Sequence, residues 1–384
     1  MERRWLNAAG AALLAGSTAL HAQDVIEPNA NLRTENIPPI PKSLAERVDR
    51  YTQFRPFGFV GWHPVRDEMI VRHRLANAGT VQLHGLSRAG GPLDSLTAFP
   101  DPVTAAAYPP QADDYLIYLR DSGGNEANRL FRLDLDTRAS TPISPADERA
   151  AGSAWMKTKN ELLVTTLPLD RTAQGGKRDE IATTMYLVDP RNPNEAKRFG
   201  ELPGAGWGGY TFSPDDKTII ASRSISATES QVWRIDVATG QREQLLPKPG
   251  DTRRIAYDGF AFSLDGKRLF LTTNERGEFS ELASYAFETR ELQILSAHIP
   301  WDAERFALSW DGKQLAVVFN VDGRDELRMF DAHTGRELPR PAVPSGAITG
   351  LSWHRTLTHR LGFSVNSPQS PGDAYVLDTN TGKV

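Results

Sequence analysis

Three stretches of the sequence hold residue types at spacings that chemistry could use. Gly85-Leu86-Ser87-Arg88-Ala89-Gly90 approaches the G-x-S-x-G elbow that exposes a nucleophilic serine, but its second glycine comes one place late. Ser87 therefore reads as a turn serine between two strands. Gly204-Ala205-Gly206-Trp207-Gly208-Gly209 satisfies G-x-G-x-x-G. A dinucleotide site needs a strand before that motif and a helix after it, so that the helix N-terminus meets the pyrophosphate. A strand-like run starts directly at Tyr210, so the glycines read as a flexible lead into a strand. The eight histidines supply no metal-ligand spacing: His354 and His359 are expected on opposite faces of one strand, and His63 and His73 flank another. Most carboxylates recur where turns close, so no acid–base pair stands apart. The sequence assigns no catalytic residue, no cofactor-binding residue and no metal ligand.

The elements around these stretches are strands. One phrase recurs: aromatic-x-aromatic-Ser, a turn of Asp, Gly and Lys, a strand, a second strand ending in Asp, then Thr-Gly. Its clearest copy runs from Tyr210-Thr211-Phe212-Ser213 through Asp215-Asp216-Lys217 to Asp236 and Thr239-Gly240. Phe260-Ala261-Phe262-Ser263 and Phe306-Ala307-Leu308-Ser309 open two more, and Thr349-Gly350-Leu351-Ser352 another. Weaker copies come earlier, and the units start near residues 57, 103, 152, 210, 260, 306 and 348. A unit of three or four short strands cannot bury both faces alone, whereas units stacked in a ring can. The expected fold is all-β, a seven-bladed β-propeller over 57–384. Its last blade is expected to be incomplete, because only Lys383 and Val384 follow Thr381-Gly382. An open blade edge would favour self-association. In the third unit, Leu167–Thr184 reads as an enlarged polar loop, mobile across Gln174–Asp179.

Arg3 and Arg4 precede an apolar run from Leu6 to Leu20, with small residues at Ser17, Ala19 and Ala22. Residues 1–22 thus read as a signal peptide, which places the chain outside the cell or in the periplasm; the run is short for a membrane span. Residues 23–56 form a lead-in. Ile37-Pro38-Pro39-Ile40-Pro41 is extended, and Ser43 is expected to cap a short helix with Leu44, Val48 and Tyr51 on one stripe. There is no cysteine, which excludes disulfides and a lipid-anchored cysteine. The net charge of −4 is interspersed along the chain, and no basic block points to nucleic acid.

Several phrases in this order resemble the propeller of bacterial acylaminoacyl- and dipeptidyl-peptidase-like members of the prolyl oligopeptidase family. They are Tyr51-Thr52-Gln53-Phe54-Arg55 with Gly61-Trp62, Val81-Gln82-Leu83-His84 with Gly90-Gly91-Pro92, and Asp121-Ser122-Gly123-Gly124-Asn125-Glu126. Ile299-Pro300-Trp301-Asp302, Asn320-Val321-Asp322-Gly323 and Ser364-Val365-Asn366-Ser367-Pro368 continue the series. The resemblance implies a propeller that restricts a serine peptidase to peptides, followed by an α/β-hydrolase domain with a Ser-Asp-His triad. No triad residue carries over, because that domain would lie beyond Val384; the 384 residues alone are expected to be inactive. The alternative is a free-standing periplasmic propeller that binds a protein partner, as TolB-like domains do. A small propeller enzyme such as a lactonase or glycan lyase would need a metal or acid–base set that the sequence does not single out.

Overall fold

The computed structural model describes residues 24–169 and 180–384. The expected signal peptide lies outside the described residues, as does the centre of the Leu167–Thr184 loop with Gln174–Asp179. The chain divides after Phe54 into two units. In the first, Val25 bridges Pro41 and a helix spans Lys42–Thr52. The cap differs from expectation: Pro41, in extended conformation, stands at the N-cap and no side chain caps the helix. The Pro41 carbonyl accepts from Leu44 N–H and Ala45 N–H, so the helix starts ahead of Ser43. No helix residue is buried, and Leu44, Val48 and Tyr51 are exposed.

The second unit holds seven antiparallel sheets whose strands follow one another in chain order. The first strands of the blades are Gly58–Trp62, Ala105–Ala107, Glu148–Trp155, Trp207–Phe212, Tyr257–Phe262, Asp302–Leu308 and Ala347–Trp353. The expected seven-bladed propeller is the fold observed. Middle strands such as Leu162–Pro168 and Gln314–Val321 are buried on both faces, as their unbroken apolar runs require. The core lies between blades. Ile220 and Val232 of the fourth blade, for example, pack in one cluster with Tyr257 and Leu269 of the fifth. Each such interface removes apolar faces from water at roughly 25 cal/mol per Å².

The repeated phrase now has physical content. The first aromatic of a phrase seats on a glycine of the preceding blade. Gly209 has φ +60°, and a Cβ there would lie 2.9–3.0 Å from the Phe260 ring, so only glycine admits the ring. Tyr210 likewise seats on Gly152, and Phe306 on Gly259. The serine closes the hairpin: Ser263 Oγ donates to Asp265 Oδ1 at 2.6 Å and accepts Arg268 N–H at 3.0 Å. Ser213 and Ser309 bond Asp215 and Asp311 in the same way. At the other end, the closing Asp accepts from a threonine three residues on, as Asp236 does from Thr239 N–H and Oγ–H at 2.8 and 2.7 Å.

The ring closes by packing, without a strand shared between its ends. Trp62 Nε1–H donates to the Ser352 carbonyl, His354 Nε2 meets the Arg66 carbonyl at 2.9 Å, and Arg360 pairs with Asp67. The seventh sheet has three strands, as expected, but so does the sixth. After the sixth blade's third strand, Arg324–Asp331, only Glu337 bridges back to Phe330. Pro339, Pro341 and Pro344 then remove the N–H donors that a fourth strand needs. A three-stranded blade is therefore a regular member of this ring. His354 and His359 do not share a strand. They sit on the turn between Ala347–Trp353 and Arg360–Ser367, where His354, and not Ser352 as expected, takes the place of the repeat's serine; Ser352 lies inside the strand.

Candidate functional site

Neither decoy is a site. Ser87 lies in an exposed turn after the strand Gln82–Leu86. Gly204–Gly209 runs into the strand Trp207–Phe212 with no helix behind it. Among the described residues no group of three metal-ligating side chains occurs, and no helix is long and apolar enough to cross a membrane. One serine–histidine contact was not legible in sequence: Ser95 Oγ lies 3.2 Å from His84 Nδ1, and His84 Nε2 lies 3.3 Å from the His73 carbonyl. A nucleophile also needs free N–H donors for the oxyanion. Leu96 N–H and Thr97 N–H, the next two along the chain, both donate to the Leu83 carbonyl, so this pair reads as structural.

The feature that all seven blades build is a cavity of about 590 Å³ at one end of the channel, where the inner strands finish. The strand-end residues Trp62, Trp155, Phe212, Phe262, Leu308 and Trp353, and Tyr108 one place past Ala107, all line it. Two places further along each chain segment stand Pro64, Pro110, Lys157, Pro214, Leu264, Trp310 and Arg355, which line it too. The turn repeats, so the same position is delivered to the mouth seven times. Five of these residues are apolar or aromatic and two are cationic. Among the described residues no Asp or Glu lines the cavity.

The geometry around the cations is built. Asp216 is buried and uses both carboxylate oxygens on the third blade, accepting Lys157 N–H at 2.5 Å and Thr158 N–H and Oγ–H at 2.8 and 2.6 Å. This fixes the Lys157 backbone and leaves its ammonium without an ion pair among the described residues. The Lys157 side chain is exposed to the cavity yet ringed by protein. That burial lowers its proton affinity, against the pull of Asp216 and with a further push from Arg355. Arg355 lies over the Trp310 ring at 5.1 Å and is also shifted down by burial. Trp310 donates its Nε1–H to the Trp353 carbonyl and leaves 46% of its surface open. Tyr108 is pushed up to about 12 by burial, so its hydroxyl stays neutral. Aligning the seven phrases by their strand-end residue could have exposed Lys157 and Arg355; reading for motifs could not.

The family described as the prolyl oligopeptidase N-terminal β-propeller domain matches residues 103–384. The chain belongs to that family. Solved structures give the same ring. A prolyl endopeptidase matches at TM-score 0.70 and 14% identity, over 89% of this chain and 51% of that one. A puromycin-hydrolyzing peptidase of Mycobacterium tuberculosis matches at 0.66 and 15%, over 86% and 52%. An oligogalacturonate lyase matches at 0.65 and 15%, over 84% and 89%. At these identities the likeness is one of fold. The chain spans about half the length of the two peptidases. No curated protein matches it.

Proposed function

We propose that this ring is the substrate-gating propeller of a secreted serine peptidase that acts on peptides. It would work with an α/β-hydrolase domain not contained in these 384 residues. The observation that carries the reading is the membership of residues 103–384 in the prolyl oligopeptidase propeller family. The channel supports it physically. Seven interlocked blades form a rigid wall, and a mouth of about 590 Å³ is of the size that takes small molecules and short peptide segments rather than folded domains. Export is supported by Arg3, Arg4 and the apolar run that follows them.

The test is to express residues 1–384 together with the segment encoded immediately downstream and to compare cleavage of a dipeptide anilide with cleavage of a folded protein. Gating predicts turnover of the anilide alone, and attack on the larger substrate once residues 55–384 are deleted. A downstream segment with no nucleophile-elbow hydrolase would overturn the reading. So would size selectivity that persists without the ring.

A further inference from the structure

We infer that the mouth of the channel binds a carboxylate carried on an apolar or aromatic body, the chemistry a peptide C-terminus presents, with Lys157 and Arg355 as its two cationic contacts. The argument starts from the sevenfold position. At five blades the residue there is Pro64, Pro110, Pro214, Leu264 or Trp310, as a greasy rim requires. At blades three and seven it is Lys157 and Arg355, whose charges act on each other within the one cavity. If the position only had to seal the core, a charge there would be a cost without return.

The two cations face one opening and have no carboxylate partner among the described residues. The acid that could have paired with Lys157 is Asp216, whose oxygens are taken by the N–H groups of Lys157 and Thr158. Like charges brought together in a partly desolvated cavity repel each other and lose hydration, and one anion between them relieves both costs. An arginine fork and an ammonium suit a carboxylate's two oxygens. The remaining wall is aromatic: Trp62, Trp155, Trp310 and Trp353 would cover an apolar body at low entropic cost. The inference rests on the residues of the mouth and not on the gating reading. A missing hydrolase partner would leave it standing, and a failed binding experiment would leave gating untouched.

Four of the eight tryptophans line the cavity, so intrinsic fluorescence together with calorimetry on the full chain reads binding directly. The probes are N-acetyl-Ala-Phe with a free carboxylate, the same peptide as its C-terminal amide, 4-phenylbutyrate, inorganic phosphate and digalacturonate. The expected result is that the peptide acid binds at least about tenfold more tightly than the amide, the usual difference for one charge-assisted contact pair. Lys157→Met and Arg355→Met should each remove about that factor for the acid and leave the amide unchanged. Lys157→Arg should retain acid binding, and an unchanged unfolding midpoint in each variant shows that the ring is intact. Phenylbutyrate weaker than the peptide acid identifies a peptide C-terminus as the source. Phenylbutyrate of equal strength supports the same site for small apolar acids. Equal binding of acid and amide, no binding at millimolar concentration, or tighter binding of phosphate or digalacturonate overturns the inference.

Discussion

Replacing Gly362 with alanine would place a Cβ 2.3, 2.5 and 2.9 Å from three carbons of the Phe59 ring. Gly362 lies inside the seventh-blade strand Arg360–Ser367, and Phe59 is a buried residue of the first blade, so the contact is part of the ring's closure. The Phe59 ring is buried, and overpacking of this kind costs about 1–3 kcal/mol. Phe59→Ala alone empties a buried ring site and costs about 3–5 kcal/mol. In the double variant the clash has no partner, and the new methyl fills part of the emptied space. The double variant should therefore be more stable than the sum of the singles predicts by about 1–3 kcal/mol, the whole of the overpacking term. Gly350 is the control. It has φ +67°, and its Cβ would meet the Phe59 carbonyl oxygen at 2.6 Å. A left-handed alanine costs about 1–2 kcal/mol, and the clash is with main chain that Phe59→Ala leaves in place. Gly350→Ala and Phe59→Ala should add to within about 0.5 kcal/mol. Urea unfolding followed by circular dichroism and by tryptophan fluorescence measures all five variants, and coincident transitions license the free energies. Additivity for the Gly362 pair, or equal coupling for both pairs, would refute the packed closure.

Ser263→Ala should cost about 1 kcal/mol, the worth of a buried hydroxyl's bonds. It should also blunt acid unfolding: the Ser263 bond holds Asp265 below its ordinary value of 3.8, so that contribution is present above pH 3.8 and lost as pH falls further, and an unchanged acid slope would count against it. His63, shifted below 6.5 by burial, gives stability that is full above pH 6.5 and declines below it; His63→Asn, which keeps an acceptor for Val65 and Arg66 N–H, should flatten the melting temperature between pH 7.5 and 5, and a retained slope would contradict this. The purified chain should turn over no peptide or ester, and fluorophosphonate labelling of Ser87 or Ser95 matched by turnover would reverse that expectation. Changing Leu44, Val48 and Tyr51 together to serine should lower binding of an apolar-surface dye, and an unchanged dye signal would show that the exposed stripe is covered in solution.

The ring was legible because its signals are local and repeated. Tyr210, Phe260 and Phe306 open their phrases at a fixed offset from Ser213, Ser263 and Ser309, and each serine dictates the hairpin that follows. What those aromatics touch was not legible, since Gly209 and Phe260 lie in different blades and meet only once the two blades stack. The role of two histidines was hidden for a related reason. His63 and His354 carry no sign of it in sequence, but both stand where other blades have serine. His63 Nδ1 accepts Val65 and Arg66 N–H, and His354 Nδ1 accepts Thr356 and Leu357 N–H, much as a serine hydroxyl accepts the returning strand. The three-stranded sixth blade is not visible in the repeated phrase, because the phrase ends at Thr334-Gly335 and the strand that Pro339, Pro341 and Pro344 cancel lies beyond it.

A ring of equivalent blades can build a particular site only where it departs from equivalence, so the departures are what must be sorted. One group turns inward and is compensated. His354 replaces a serine, accepts the same kind of N–H groups, and extends its Nε2 to the Arg66 carbonyl across the closure. His63 does the same with its Nδ1, while its buried Nε2 points toward Asp113 Oδ2 at 3.9 Å, beyond hydrogen-bond reach. The His354 change is answered at both ring nitrogens and the His63 change at Nδ1 alone, and their effect should be on stability. The other group turns toward the channel. Lys157 and Arg355 replace proline, leucine or tryptophan at a rim position, and neither finds a carboxylate among the described residues. A departure answered inside the protein can be explained by packing alone. One left unanswered at an open cavity needs a partner from outside, and the two positive charges fix the sign of that partner before its identity is known.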